Sequence, residues 1–169
     1  VLEIRNTANF DIDGFDYDFK VFDDPNELRA AIEEKNKEDN KSRIVAGYCW
    51  EWPNDKNRSN DNDKNIKIPQ YNFEMSWNLS GGESFAIGEH TIKQAGCIHT
   101  TQGLEFDYVG VIIGDDMRYE NEKVITDYTK RASTDRSLWG IKTMYKKDPE
   151  NALKVADEII KNTYRTLMT

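Results

Sequence analysis

The sequence predicts an α/β domain in which helices cover a mainly parallel sheet. Short apolar runs typical of buried strands occur at residues 43–49, 95–98 and 108–113. An Asp-Pro pair that starts a helix occurs twice, at residues 24–25 and 148–149. Helices that alternate with apolar strands favour a layered domain, and 169 residues suffice for one core.

The first elements follow from alternation and from a helix cap. Residues 17–22 place Tyr17, Phe19 and Val21 on one side, which predicts a half-buried strand. Asp24 and Pro25 then predict a helix that runs to about Asn36. Its apolar face would carry Leu28, Ala31 and Ile32.

The remaining elements are read in the same way. Residues 43–49 predict a strand, and residues 54–65, which are rich in Asn, Asp and Lys, predict a surface loop. A turn is expected at 80–83, a short strand at 85–87 and a hairpin at 117–126 with its turn near Glu120, Asn121 and Glu122. A helix should run from about Pro149 to the end, with Leu153, Ala156, Ile159, Ile160 and Tyr164 on one apolar face. Residues 128–147 fit no single element and interleave basic residues with Trp139 and Tyr145.

Composition limits the classes of function. The net charge of −8 argues against a domain that grips phosphate backbones by its overall charge, although a local basic surface remains compatible. No apolar run approaches the roughly 18 residues of a membrane span, so we expect a cytoplasmic protein without a membrane partner. Cys49 and Cys97 lie in apolar runs and are expected to be reduced core residues.

The polar loop at residues 99–105 is the leading candidate for a ligand site. It follows an apolar strand, and ligands of parallel sheets bind in loops at the carboxyl ends of strands. Hydroxyl groups and loop amides suit phosphate oxygens, a carboxylate suits ribose hydroxyls, and Gly103 permits a sharp turn. The alternative is a purely structural turn in which Thr100 or Thr101 caps a short helix.

A resemblance gives this loop a more specific interpretation. The stretch IHTTQGLEFDYVGVII at residues 98–113 resembles motif V of superfamily 1 helicases. That resemblance implies a RecA-like, P-loop NTPase-type domain with three αβα layers. Carried over by position, His99, Thr100 and Thr101 would contact a nucleic-acid strand. Gln102 and Gly103 would lie near the nucleotide cleft, and Glu105 would bind the ribose of the nucleotide.

Two further stretches extend the resemblance. NTYRTLMT at residues 162–169 resembles the helix that opens motif VI, although Arg165 does not occupy the position of the arginine finger. AGYCWEW at residues 46–52 is similar to a stretch of a bacterial Schlafen-group-3-like helicase family and would occupy the place of motif IV. Trp50 would then stack on a base or on adenine, or else cover the core as a rim aromatic.

The same resemblance implies that residues 1–169 are the second lobe of a longer ATP-dependent helicase or translocase. No GxxxxGK[ST] loop occurs in the sequence, so catalytic residues and a metal site are not expected in this stretch. ATP and Mg²⁺ would bind the full-length protein rather than this lobe alone. An N-terminal RecA-like ATPase domain and single-stranded DNA or RNA are the implied partners.

Two alternatives to the motor remain open. One is a RecA-like module that serves only as a binding or scaffold unit. The other is a Mg²⁺-dependent phosphohydrolase built on Asp115 and Asp116, because VGVIIGDD at residues 109–116 imitates an apolar strand that ends in an acidic metal-binding pair. Carboxylates that cap the next turn are the structural alternative for that pair.

Overall fold

The computed structural model describes residues 18–51, 64–79 and 83–168. Within these residues the chain forms a five-stranded sheet, a separate hairpin and five α-helices. In chain order the elements are α1 (Pro25–Asp39), β1 (Ser42–Ala46), β2 (Ile66–Ile68), β3 (Phe73–Trp77), α2 (Glu83–Ile87), β4 (Gln94–Gly96), α3 (Ile98–Thr101), β5 (Tyr108–Ile112), β6 (Met117–Glu120), β7 (Lys123–Thr126), α4 (Ile141–Lys147) and α5 (Pro149–Met168).

The sheet has the strand order β2-β3-β4-β1-β5. Strands β3, β4, β1 and β5 are parallel, and β2 pairs antiparallel with β3 at one edge. Ile44 of β1 lies opposite Ala95 of β4 and Gly110 of β5, which fixes the central register. The predicted α/β class with a mostly parallel sheet is therefore confirmed, and the arrangement is compatible with a RecA-like αβα fold.

Strand β1 separates two apolar layers because successive side chains point to opposite faces of a sheet. Ile44 and Ala46 belong to a core that also contains Ile32 of α1. Val45 packs instead with Ile160 and the rest of a cluster on α5. All five residues of β1 are buried, as expected for a central strand covered on both sides.

Helix α1 begins and ends through local signals. The Asp24 side chain accepts a hydrogen bond from the Asn26 amide at 2.8 Å, and Pro25 occupies the first turn. The helix ends at Asn40, whose φ of 59° is left-handed. The prediction of this helix is confirmed, and it extends three residues beyond Asn36.

Two predicted strands are wrong. Residues 18–22 form no strand, and Phe19 and Val21 are 53% and 80% exposed, because no strand of the described sheet pairs with them. Tyr17 lies outside the described residues. The run at 85–87 belongs to helix α2, and periodicity cannot separate a strand from a helix in so short a run. The buried Arg43 side chain donates to the carbonyl oxygens of Phe85 and Ala86 at the end of α2.

The hairpin and the long C-terminal helix are confirmed. The apolar face of α5 differs in one position, since Leu153 is 49% exposed while Ala152 is buried. The run at 95–98 forms a strand only to Gly96, after which Ile98 begins α3. Residues 128–147 consist of two short helical turns, at Tyr128–Lys130 and Arg136–Leu138, followed by α4.

Residues 52–63 and 80–82 lie outside the described residues. They include most of the loop expected at 54–65 and of the turn expected at 80–83. No helix in the described ranges combines the length and the apolar character that a membrane crossing needs.

Candidate functional site

The candidate loop starts as a tight strand-to-helix turn at the end of β4. Cys97 is extended and precedes α3, and its amide donates to the Thr100 hydroxyl at 3.1 Å. After α3 the chain continues through Gln102, which is extended, and Gly103, whose φ of 77° favours glycine. The structural alternative predicted for this loop, a turn in which Thr100 caps a short helix, is thus present.

Thr100 is buried, and its contact with a nucleic-acid strand stays a prediction. The residue is 6% exposed. Its hydroxyl donates to the Asn78 side-chain oxygen and lies 3.1 Å from the Cys97 sulfur. The Thr100 hydroxyl therefore holds the turn in place through its contacts with Cys97 and Asn78.

His99 points to the opposite side of the turn and is exposed. Its ring meets the edge of the Tyr48 ring, with centroids 6.2 Å apart. Tyr48 is itself buried between Trp77, at a centroid distance of 5.3 Å, and the guanidinium of Arg131, at 5.4 Å. Burial raises the pKa of the Tyr48 hydroxyl, which stays neutral. His99 thus stands on a rigid aromatic support.

A cleft of about 370 Å³ opens beside the second half of the loop. Thr101 and Glu105 contribute polar groups, and Thr166 and Leu167 near the end of α5 form the facing wall. Its other lining residues are Val45, Leu104, Phe106, Asp107 and Val109. The Thr101 hydroxyl lies 3.2 Å from the Cys97 carbonyl oxygen, to which it donates, and Glu105 is exposed. Gln102 and Gly103 are exposed at the rim and do not line the cleft.

Trp50 sits against the core as a rim aromatic. Its ring is half-buried on the core cluster that contains Tyr48, and its indole nitrogen donates to the Lys67 carbonyl oxygen at 3.5 Å. This geometry matches the structural alternative for Trp50, and stacking on a base stays a prediction.

Asp116 does not form the acidic metal-binding pair that its sequence imitates. It is fully buried, and its Oδ2 accepts from Arg131 at 3.0 Å. Its Oδ1 accepts from the Tyr164 hydroxyl at 2.5 Å and from the Cys49 thiol at 2.9 Å. Asp115, by contrast, is exposed. With one carboxylate enclosed by protein donors, the pair does not fit a Mg²⁺ site or the capped turn proposed as its alternative.

The Asp116 cluster, which consists of Asp116, Arg131, Asp135, Tyr164 and Cys49, joins β5, the 131–135 segment and α5. Burial lowers the pKa of Arg131, but Asp135 and Asp116 outweigh this effect and the pKa is raised overall. Burial also raises the pKa values of the Cys49 thiol and the Tyr164 hydroxyl, and the Asp116 charge adds to both. All three groups therefore keep one protonation state across the physiological range.

Sequence reasoning missed Arg131 and Tyr164 as members of one cluster. The sequence shows Arg131 only as one of the basic residues of 128–147, a stretch that fits no single element, whereas in the structure it is 8% exposed. Asp135, four residues further on, is a local partner that the sequence displays, whereas Asp116 and Thr163 lie 15 and 32 residues away and give no local signal. Arg165 is exposed and bonds to Asn162, as expected for a residue outside the arginine-finger position.

Metal binding finds no support in the described part of the chain. No group of three or more His, Cys, Asp or Glu side chains there is arranged to hold an ion. Cys49 and Cys97 form no disulfide; Cys97 is fully buried, as expected for a core residue, whereas Cys49 is only partly buried.

The comparisons with known proteins identify the family. The family model of the Schlafen group 3, DNA/RNA helicase domain matches residues 1–169. The chain belongs to the Schlafen group 3 helicase domain family. An uncharacterized protein of Saccharomyces cerevisiae is 27% identical over 156 residues, which cover 90% of this chain and 32% of the yeast protein. This chain thus spans about a third of the yeast protein's length. No solved structure matches this chain.

This membership confirms the helicase-related family that the resemblance implied. It also supports the general expectation of nucleotide binding for a Schlafen group 3 domain. The relative from Saccharomyces cerevisiae is eukaryotic, so it does not support the bacterial origin that the resemblance implied.

Proposed function

We propose that this Schlafen group 3 domain is the second RecA-like lobe of an ATP-dependent nucleic-acid helicase or translocase. In this role it contributes contacts to one nucleic-acid strand and the far wall of the ATP cleft. The observation that carries the proposal is the cleft in which the motif V-like loop, through Thr101 and Glu105, faces the motif VI-like end of α5 at Thr166.

The two sides of the loop support two separate roles. His99 is exposed on an aromatic support, where its imidazole can contact a phosphate or stack on a base. Glu105 lies on the other side, in the cleft with Leu167. Thr100 connects the two as a positioning residue, because its buried hydroxyl fixes the turn between them.

The cleft residues fit part of a nucleotide. The Glu105 carboxylate can accept hydrogen bonds from ribose hydroxyls, and Leu104 and Leu167 offer apolar surface to the sugar or base. No phosphate-binding loop occurs in the sequence, so ATP and Mg²⁺ would require the N-terminal RecA-like lobe to complete the site. When bound, the Mg²⁺–ATP complex supplies the hydrolysis whose energy drives movement along the strand.

Separate substitutions of His99 and Glu105 in the full-length protein test the proposal. We expect His99→Ala to weaken nucleotide-dependent binding of a single-stranded oligonucleotide while the KM for ATP stays unchanged. Glu105→Gln should raise the KM for ATP severalfold with little effect on strand binding. The exposed residue Asp115→Asn serves as the matched control, since it loses a carboxylate that does not line the cleft. If the two changes altered both properties together, the separation of roles would be wrong.

The lobe alone should hydrolyse no ATP, because it lacks the phosphate loop. Turnover by the isolated lobe that disappears with Glu105→Gln would contradict the proposal. A full-length protein that binds ATP without hydrolysing it would favour the scaffold alternative.

A further inference from the structure

Residues 128–147 carry positive charge that contrasts with the rest of this acidic chain. They contain six Lys or Arg residues and one Asp, a net charge of +5. The remaining residues therefore sum to −13 against a total of −8. The single acidic residue, Asp135, is buried in an ion pair with Arg131, so the exposed charges of this segment are all positive.

Exposed aromatic rings lie among these charges. Trp139 is 70% exposed, although tryptophan is among the more buried residue types on average. The guanidinium of Arg136 stacks over its ring at 5.2 Å from the centroid. Tyr145 is 40% exposed, and its ring is 6.2 Å from that of Tyr128.

Three lysines of this segment, Lys130, Lys142 and Lys146, form no ion pair with any residue that the structure describes. Lys142 and Lys146 are exposed and lie one helical turn apart on α4. Lys130 belongs to the turn that the Tyr128–Tyr145 contact holds beside α4. The acidic residues that flank the segment form hydrogen bonds with nearby backbone amides: Asp127 accepts from the Thr129 amide, and Asp148 accepts from the Asn151 amide.

Buried ion pairs of Arg131 hold the backbone of this segment in place. Arg131 donates to Asp135 at 2.7 Å and to Asp116 at 3.0 Å, with both contacts buried. Asp135 in turn accepts from the Ser137 amide and starts the turn that ends at Trp139. A base that stacks on Trp139 would therefore not have to order this part of the backbone.

The segment also lies beside the His99 loop. The Ala132 amide donates to the Tyr48 carbonyl oxygen at 2.7 Å, and the Tyr48 ring contacts both Arg131 and His99. The Ser133 amide donates to Glu51 in the loop that follows β1. These contacts bring the segment to the carboxyl edge of the sheet, where the His99 turn follows β4.

We infer that the basic-aromatic surface, defined by Lys130, Arg136, Trp139, Lys142, Tyr145 and Lys146, binds single-stranded nucleic acid. Trp139 and Tyr145 stack on bases, and the lysines contact backbone phosphates in a manner independent of sequence. Because His99 lies across Tyr48 from this segment, one strand contacts both. The inference rests on the proposed function, because it takes the ligand to be the nucleic-acid strand on which a helicase or translocase acts. It adds a binding surface outside the motif V-like loop.

The test measures binding of a fluorescein-labelled oligothymidylate of about 16 nucleotides by anisotropy, with the full-length protein. We expect Trp139→Ala to weaken binding roughly tenfold and Trp139→Phe to retain most of it, because the phenyl ring still stacks. Lys142→Gln combined with Lys146→Gln should lower the slope of log K against log[salt] by about 1.4, roughly 0.7 for each lost phosphate contact.

Matched controls separate this surface from general effects. Tyr119→Ala removes an aromatic ring that is 67% exposed on the β6–β7 hairpin, beside Glu120. Lys37→Gln combined with Lys123→Gln removes two exposed lysines elsewhere. Neither control should change the affinity or the salt slope beyond a small general electrostatic effect. Trp139→Ala should unfold at the wild-type temperature, since its ring is largely in solvent.

The outcomes distinguish this inference from the proposed function. If His99→Ala weakens binding while the Trp139 and lysine variants bind like wild type, the inference fails and the proposed function stands. If wild-type protein binds no oligonucleotide in any nucleotide state, both fail. Binding to phosphatidylcholine vesicles only when they contain phosphatidylserine, without oligonucleotide binding, would assign the surface to an anionic membrane and overturn the inference.

Discussion

Two adjacent aspartates show how environment decides the role of a residue. Asp115 and Asp116 follow the same strand, but Asp115 is exposed whereas Asp116 is fully buried. A buried carboxylate is costly unless donors surround it, and Asp116 receives three, from Arg131, Tyr164 and Cys49. Its charge is therefore committed to joining parts of the fold and is unavailable to a metal ion.

Removing this carboxylate should be strongly destabilising. Asp116→Ala leaves the Arg131 guanidinium buried with Asp135 as its remaining carboxylate partner, so we expect the free energy of unfolding to fall by about 3–5 kcal/mol. Urea denaturation followed by circular dichroism measures the change. Asp115→Ala is the matched control and should leave the midpoint unchanged, because the side chain is exposed. Equal midpoints for the two variants would show that the cluster contributes nothing.

Helix α5 depends on a close approach to β1 that only glycine permits. A Cβ atom at Gly47 would lie 2.2 Å from the Tyr164 hydroxyl oxygen, well inside van der Waals contact. The same hydroxyl accepts from the Gly114 amide at 3.0 Å and donates to Asp116. The contact sets the position of α5 and hence of Thr166 and Leu167, which line the cleft.

Gly47→Ala should therefore displace Tyr164 and cost about 1–3 kcal/mol of stability through overpacking. Thermal unfolding monitored at the far-ultraviolet helix band measures this loss. Gly103→Asn is an informative comparison, because open space surrounds Gly103 and asparagine tolerates its positive φ. That variant should unfold close to the wild-type temperature. If Gly47→Ala were as stable as Gly103→Asn, the close approach would be unimportant for α5.

At the scale of the whole molecule, the two faces of the sheet are held by different forces. The α1 face is a broad apolar core that includes Trp77 and Phe73. The α5 face has a smaller apolar cluster around Val45 and is supplemented by the buried Asp116 cluster. Both layers should respond to alkaline pH, because Tyr48 belongs to the α1 core while Cys49 and Tyr164 belong to the Asp116 cluster.

Stability should decrease at alkaline pH. Burial raises the folded-state pKa values of Cys49, Tyr48 and Tyr164 above their unfolded values. The folded chain then holds protons that the unfolded chain releases, so stability is intact below the unfolded pKa and declines as pH rises past about 8.5 for Cys and about 10 for Tyr. Each group adds a slope of up to about 1.4 kcal/mol per pH unit.

Urea denaturation between about pH 7 and pH 10.5 measures this decline. Cys49→Ala should be less stable at neutral pH, because it loses the hydrogen bond to Asp116, but should show a shallower decline above about pH 8.5. A wild-type stability that stays constant over this range, or an identical slope in Cys49→Ala, would contradict the assignment.

Elements whose signals are local can be predicted from the sequence alone. The caps at Asp24 and Asp148, the apolar runs of β1 and β5 and the hairpin turn near Asn121 all depend on neighbours within a few residues, which the sequence displays directly. The motif V-like stretch likewise located the loop of residues 99–105, because the resemblance is carried by contiguous residues.

The contacts that the side chains of these elements make depend on the folded chain and are not visible in the sequence. The burial of Thr100, the helical state of residues 83–87 and the pairing of Arg131 with Asp116 depend on groups far away in the chain. Local patterns cannot encode them, because a charge or hydroxyl looks the same in sequence whether its partner is water or a residue brought close by folding. For the same reason the sequence could not show that Asp116, one of the acidic pair that resembles a metal site, is buried and accepts a hydrogen bond from Tyr164 of helix α5.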